Sequence, residues 1–309
     1  MSSNAAALPP AALPPAAPPR SLGRRLLTRL YALPRVQLWL LLAAPIAWFG
    51  LVYLGSLAVL LLTAFWHLDP TTSSIVRSFT LQNFATLLSD PVYRTITIRT
   101  VSIAASVTII DGLIAFPIAF YMARVASPRL RSILFMLVLL PLWSSYLVRV
   151  YAWRVILSPG GLLDWASASV GLPGLSPGFT EVSMALVFSY LWLPYMILPI
   201  YAGLERIPQS YFEASADLGG RGLTTFRRIV VPLAMPALAA GSIFTFSLTL
   251  GDYITPKLVG NSQFLGNVIY DSQGVANNIP FAAAFAVVPI LIMGVYLLLA
   301  RRLGAFDAL

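Results

Sequence analysis

Two carboxylates stand where charge is costly. Asp111 lies in the middle of an apolar run over residues 99–123, and Asp252 lies near the end of another over 234–256. An ionised side chain at the centre of a bilayer costs at least ~2.5–3.5 kcal/mol on insertion scales, so such residues face a protein interior or a hydrated path. Either carboxylate can meet a cationic solute, and either can instead hydrogen-bond a neighbouring helix; for Asp111 the two readings stand level. Around Asp252, the residues Gly251, Tyr253, Thr255 and Pro256 break helix regularity. Irregular backbone at membrane depth survives only where protein or water satisfies it, which favours a path for Asp252 and Tyr253. Other chemistry is excluded. The chain has no cysteine, one histidine (His67) and one lysine (Lys257, preceded by Pro256), with no Gly-Lys-Ser/Thr anywhere. Thiolate and multi-histidine metal sites and a Walker phosphate loop are therefore absent. If ATP drives this protein, another polypeptide binds it.

Aromatic residues form a second set. Trp143, Tyr146, Val150 and Trp153 follow three-and-four spacing and are predicted to share one face of a helix over 132–156. Ring faces hold an ammonium by ~0.5–2 kcal/mol, yet aromatics near the end of a span more often form an interfacial belt. Trp153 and Tyr151 go to the belt; Trp143 and Tyr146 are path candidates, as are Tyr190, Trp192 and Tyr195 around Pro194. Arg149, Arg154 and Lys257 crowd the same outer half, so a zwitterionic or amino-acid-like solute is also physically allowed.

The elements that must position these residues are membrane helices. Of 309 residues, 58% are hydrophobic and 10% charged, against ~25% charged in soluble domains. A bilayer core needs about 20 apolar residues per helix, and six segments qualify: 37–65, 99–123, 132–156, 183–204, 234–256 and 281–300. Residues 1–20 are Ala/Pro-rich and read as a disordered cytoplasmic tail. Residues 21–35, with Leu22, Leu26, Leu30 and Leu33 opposite Arg24, Arg25 and Arg29, read as an interfacial amphipathic helix. Residues 36–309 are the transmembrane domain. Its first apolar run, 36–66, exceeds a signal h-region of ~7–15 residues and is an uncleaved span. With the N-terminus inside, 14 of the 20 Arg and Lys residues fall on the inner side and six (Arg77, Arg94, Arg99, Arg149, Arg154, Lys257) on the outer. The positive-inside rule then puts both termini and the loop 205–232 in the cytoplasm. The net charge of +9 thus sorts by membrane side and needs no nucleic acid.

That loop is the one long polar and cationic interlude between apolar segments. Ser210 and Glu213 have capping-box spacing, a helix over 211–218 follows, and Gly219 and Gly220 can stop it in left-handed geometry. Thr224 or Thr225 can cap the next helix. Ala214, Ser215 and Ala216 allow close approach of a partner, so the element reads as a docking helix rather than a catalytic loop.

Glu213-Ala214-Ser215, Gly219 six residues after the Glu, and Ile229-Val230-Val231-Pro232 resemble the EAA loop of ATP-binding-cassette (ABC) importer permeases. Ser215 stands for the second Ala of that pattern and Val231 for its Leu, with the spacing intact. Pro141-Leu142-Trp143, Leu147 to Trp153, Gly251 to Gly260, Gly266-Asn267-Val268-Ile269, and Phe79 to Phe84 before Asp90-Pro91 are similar to the spermidine/putrescine-type branch, over residues 75–305. The resemblance implies an all-α fold of six transmembrane helices, type I ABC importer permease-like, in a bacterial inner membrane. It implies no cofactor on this chain, ATP being bound by partner ATPase subunits docked on the EAA loop. It also implies a second permease subunit in a heterodimer, an extracytoplasmic binding protein and a lipid environment. The cargo expected is a polyamine; the alternative is another small solute, amino-acid-like or opine-like. On this reading Ser210, Glu213, Ala214, Ser215, Gly219, Ile229 and Pro232 couple ATP to transport, and Asp111, Trp143, Tyr146, Tyr195, Asp252 and Tyr253 line the path. Closure of the ATPase pair would swing the docking helix and, through Ile229, Pro232 and Pro236, reorient the segment bearing Asp252. An ion-coupled secondary carrier would often show two similar halves with matching broken helices, and none is seen. A membrane enzyme would need convergent catalytic groups, which a chain without cysteine and with scattered acids lacks.

Overall fold

Prolines, small residues and short polar caps decide where the helices of this chain start, bend and touch. The structure, a computed structural model, describes residues 34–171 and 177–306. The expected tail, 1–20, lies outside the described residues, as does the expected interfacial helix but for positions 34 and 35, which open the helix Pro34–Ala47. The chain divides at Val59–Leu60 into two compact units. The first carries most of helix α1, Gln37–Thr63, which holds a π-helical stretch at Trp48–Leu54.

In the second unit, a two-stranded antiparallel hairpin (β1, His67–Leu68; β2, Ile75–Val76) sets His67 opposite Val76. The helices that follow are α2 (Gln82–Ser89), α3 (Pro91–Val125), α4 (Pro128–Trp143), α5 (Tyr146–Leu157) and α6 (Leu162–Ser169). Next come α7 (Glu181–Glu205), α8 (Gln209–Asp217), α9 (Gly222–Gly251), α10 (Ile254–Val259), α11 (Leu265–Gly274) and α12 (Ile279–Arg302). Among the described residues α1, α3, α7, α9 and α12 are each long and apolar enough to cross a membrane.

Side-chain caps fix four of these starts, each satisfying an amide that the first turn leaves open. Ser127 accepts the Leu130 N–H at 3.4 Å ahead of α4. Asp90 accepts the Val92 N–H at 2.9 Å ahead of Pro91. Thr180 accepts the Ser183 N–H at 3.2 Å, and Asn278 accepts the Phe281 N–H at 3.1 Å. The Asp90 cap begins α3 eight residues before the expected 99, because Tyr93, Arg94 and Thr95 are helix-competent though not apolar. At 35 residues and ~1.5 Å per residue, α3 overshoots a bilayer core of about 30 Å.

The expected span 132–156 is a bent pair and not one straight helix: α4 and α5 meet at 93°, and counted as one span they make six with the five long helices among the described residues. Pro141 sits in a 3-10 turn at Leu140–Trp143, Ser144 leaves it with extended ψ of 151°, and its hydroxyl folds back onto the Pro141 carbonyl at 2.8 Å. Trp143 therefore shares no helical face with Tyr146, Val150 and Trp153, which do stay together against one buried cluster. The expected span 234–256 is corrected, since α9 starts at Gly222 and stops at Gly251.

Helices α3, α7 and α9 form the centre, with Ala115, Ala119, Met122, Met196, Ile200, Leu204 and Ala234 buried between them. Small residues set how near they come, as packing between membrane helices requires. A Cβ added at Gly203 of α7 would lie 2.4 Å from the Ala237 Cβ of α9, and one at Gly241 would lie 2.9 Å from the Met196 sulfur. Gly203→Ala should therefore push α7 and α9 apart and lower the thermal unfolding midpoint in detergent. The expected loss is about 1–3 kcal/mol, as for overpacking elsewhere. Gly294→Ala, at a position with nothing within 4 Å of the added carbon, should leave the midpoint unchanged or higher.

Candidate functional site

The loop between α7 and α9 closes on its own backbone. After α8, Gly219 adopts φ +74°. Its N–H donates to the Ala216 carbonyl at 2.9 Å, and the Gly220 N–H donates to the Ser215 carbonyl at 2.7 Å. This pair of bonds with a left-handed glycine is the Schellman arrangement, so the expected stop at Gly219 is what the structure contains. Gly220 serves by close approach instead: a Cβ there would lie 2.4 Å from the Ser215 hydroxyl oxygen.

The expected capping box does not form. Helix α8 starts at Gln209 with Pro208 as its N-cap and no side-chain cap bond, which places Ser210 and Glu213 two positions too deep to cap reciprocally. Nor does Thr224 or Thr225 cap α9, which follows Arg221 without a side-chain cap. Thr225 instead pairs its hydroxyl with that of Ser215 at 2.7 Å. Ser215, where the resembled pattern has alanine, is 8% exposed and ties α8 to the first turn of α9. Glu213 and Ala214 are exposed, Ile229 is half-buried and Pro232 is exposed. Tyr211, Leu218 and Leu223 are large apolar side chains left open on this loop, Leu218 at 90% exposure.

Far along the chain, Asp252 occupies the break between α9 and α10. Its Oδ1 accepts the Ile254 N–H at 2.8 Å and the Thr255 N–H at 3.2 Å. Its Oδ2 accepts the Thr255 hydroxyl at 2.8 Å and the Tyr146 hydroxyl. A carboxylate offers about four acceptor positions, so this buried one is fully used. Tyr146 opens α5, so one hydrogen bond joins the break after Trp143 to the break after Gly251. The Tyr146 ring also stacks on Trp192 at 5.8 Å, and Tyr195 tilts against Trp192 at 6.0 Å. Tyr253 stacks on Tyr270 at 4.6 Å, and that second ring already carries Lys257, its Nζ 5.0 Å away.

Asp111 presents the opposite case. It is 0% exposed, and neither oxygen has a hydrogen-bond partner, though the Ser189 hydroxyl of α7 faces it. Trp143, at 83% exposure, lines a cleft of about 430 Å³ with Phe135, Met136, Leu139 and Tyr201. The structure thus brings Tyr146, Asp252 and Tyr195 around Trp192 and Thr255, while Asp111, Trp143 and Tyr253 stand in other surroundings.

Two features escaped the sequence. Asn267, 5% exposed, donates to the Tyr253 carbonyl at 2.6 Å and accepts the Phe264 N–H at 3.2 Å, so it bridges the break from the far side. Its only signal was its place in the Gly266-Asn267 motif. Arg149 is 8% exposed with Nε and Nη1 unpaired, whereas an arginine near the end of a span reads as an outer-side charge. Among the described residues no three His, Cys, Asp or Glu side chains gather as a metal set.

Comparison with known proteins gives the family and the fold. Residues 115–306 match the family model described as binding-protein-dependent transport system inner membrane component. Over 290 residues the chain is 46% identical to the inner membrane ABC transporter permease protein YdcU of Escherichia coli (strain K12), covering 89% of this chain and 92% of that one. Over 212 residues it is 32% identical to the spermidine/putrescine transport system permease protein PotB of Haemophilus influenzae, covering 67% and 73%. Its fold is similar to a chain in the crystal structure of a bacterial ABC transporter that imports the acidic polysaccharide alginate. There the TM-score is 0.66 at 18% identity, over 91% of this chain and 98% of that one.

The Tyr146 hydroxyl can be tested apart from its ring. Tyr146→Phe keeps the stack on Trp192 and removes one of four donors to Asp252. The unfolding free energy should fall by about 1–3 kcal/mol, the range for a hydrogen bond to a charged group, read as a lower midpoint in detergent. An unchanged midpoint would mean that the two helix breaks are not joined.

Proposed function

This chain belongs to the family of binding-protein-dependent transport system inner membrane components, and on that premise we propose that it carries a polyamine across the membrane. It is a permease subunit of an inner-membrane ABC transporter and is not itself the ATPase. Relatives named for spermidine/putrescine transport support the cargo, together with a buried carboxylate, Asp111, that is held only weakly by the Ser189 hydroxyl.

In this reading α8 faces the cytoplasm, as do both termini, supported by the fourteen-to-six distribution of cations. ATPase subunits dock on α8, using its exposed Tyr211 and Leu218 and the neighbouring Leu223, with Glu213, Ala214 and Ser215 on the docking helix. The Schellman turn at Gly219 is the observation that carries this assignment: it makes α8 a short rigid body with a fixed exit into α9, the kind of two-state element that coupling needs. A second permease subunit, distinct from this chain, completes the path, and an extracytoplasmic binding protein delivers the solute on the opposite face.

Asp111 is the carboxylate best suited to meet the cargo. Asp252 already has its hydrogen bonds, so an arriving ammonium would have to displace an internal partner there. Asp111 has only its weak contact with the Ser189 hydroxyl of α7 to lose once α3 and α7 separate. Trp143 and Tyr195 supply ring faces along the way, and Tyr146, Asp252 and Tyr253 hold the interrupted helices beside them. A second reading, an amino-acid-like or opine-like cargo, is favoured by Arg149, whose free Nε and Nη1 would suit a solute carboxylate.

Two measurements test this. In the assembled complex, Gly219→Val or Glu213→Ala should make ATP hydrolysis independent of loaded binding protein and should lower uptake; normal uptake in both would sink the docking assignment. Asp111→Asn should reduce spermidine uptake by about tenfold, equivalent to about 1.4 kcal/mol, with complex yield preserved. Undiminished uptake would return Asp111 to a structural role, and stimulation of the ATPase by a zwitterion but not by spermidine would favour the second reading.

A further inference from the structure

Covalent connection joins the docking helix to only two of the three central helices. Helix α8 follows α7 through residues 206–208 and precedes α9 through residues 218–221, while α3 ends at Val125, far away in sequence. Whatever moves α3 with the loop must act through space.

Arg124, in the last turn of α3, makes that contact. Its Nη2 donates to the carbonyls of Leu204 and Ile207, the last groups before Pro208 and α8. Its guanidinium also stands over the ring of Phe212 in α8, 4.8 Å from the centroid. Leu204 is 0% exposed and Ile207 6%, so these acceptors sit in a largely desolvated place where an unmade bond is costly. They also lie at the negative end of the α7 dipole, where a cation is favoured. Phe226 provides a second contact, edge-on to Phe116 at 5.7 Å and to Phe120 at 5.8 Å. Ring contacts of that kind can slide, whereas a planar guanidinium holding two carbonyls and covering a ring has one orientation.

We infer that Arg124 is the positioning residue by which a tilt of α8 is passed to α3. The inference rests on the reading of α8 as the docking element. If α8 rotates as a rigid piece, the Phe212 ring and the Ile207 carbonyl move together, and the guanidinium follows both. The end of α3 is drawn along, and with it Asp111, thirteen residues up the helix. Two helices would then respond to one swing: α9 through the chain and α3 through Arg124.

The test uses the complete complex in proteoliposomes, with its ATPase subunits, second permease and loaded binding protein, counting radiolabelled spermidine taken up per ATP hydrolysed. Arg124→Gln should assemble and hydrolyse ATP while uptake per ATP falls by about tenfold, within the ordinary range for coupling between two sites. Arg124→Lys should fall between that variant and the wild type, because an ammonium keeps the charge and its donors but has no rigid planar group to lay over the Phe212 ring while it donates. A merely structural role would reduce the amount of complex and leave uptake per ATP unchanged, and that result would overturn the inference. Should Arg124→Gln fail to assemble, Arg124→Lys decides: a wild-type ratio there overturns it equally. Normal, binding-protein-dependent uptake in Gly219→Val would instead defeat the docking reading itself.

Discussion

Backbone groups freed at a helix end inside or beside a bilayer have no bulk water to turn to, and each must find a partner within the protein. Three places among the described residues show how such groups are satisfied. At the break after Gly251 the freed amides of Ile254 and Thr255 end on Asp252, and the Tyr253 carbonyl ends on Asn267. At the end of α8 the carbonyls of Ser215 and Ala216 are taken by Gly220 and Gly219. At the ends of α3 and α7 two arginines serve crosswise. Arg124 of α3 takes carbonyls that follow from α7, while Arg131 of α4 donates to Ala123 of α3 at 3.2 Å and pairs with Glu205 of α7 at 3.5 Å.

Each solution also binds one element to another, which is why irregularity here does not mean looseness. Tyr146 and Asp252 tie α5 to α10, Ser215 and Thr225 tie α8 to α9, and Arg124 ties α3 to α7 and α8. Exposed ion pairs contribute little on their own, so the Lys257–Asp271 pair, half open to solvent, is not a comparable tie. The binding lies in the charge-assisted bonds of buried groups, which are shorter and stronger than neutral ones. A permease that alternates between two openings needs stiff pieces with few hinges, and the satisfied breaks are candidates for both.

What was legible in the sequence follows the same line. Gly219 could be recognised because a left-handed position after a short helix is chemically demanding, and only a few residues meet it. The break at Asp252 was legible because Gly251 and Pro256 bracket a polar residue inside an apolar run. The bend between α4 and α5 was hidden: Ser144 and Ser145 sit in an aromatic, apolar stretch that keeps helical periodicity on both sides, and periodicity does not register a change of axis. The capping box was a spacing without a position, since Pro208 moved the helix start two residues earlier than assumed. The burial of Arg149 and the cap by Arg124 were beyond reach, because an arginine's partners across the bundle leave no mark on its own neighbours in sequence.

The two intramembrane carboxylates, alike in sequence, separate on satisfaction. Asp252, with four donors, gains nothing from a new partner that it does not first lose. Asp111 meets only the Ser189 hydroxyl, short of full hydrogen-bond geometry, and a buried carboxylate so poorly paired carries a penalty that any state supplying a better partner relieves. A ligand shifts a conformational equilibrium only through its different affinity for the two states. The residue left unsatisfied in one state is therefore where such a difference is largest. On that ground the two carboxylates differ in kind: Asp252 holds the interrupted helices in place, and Asp111 is the one left to respond, as the proposed path requires.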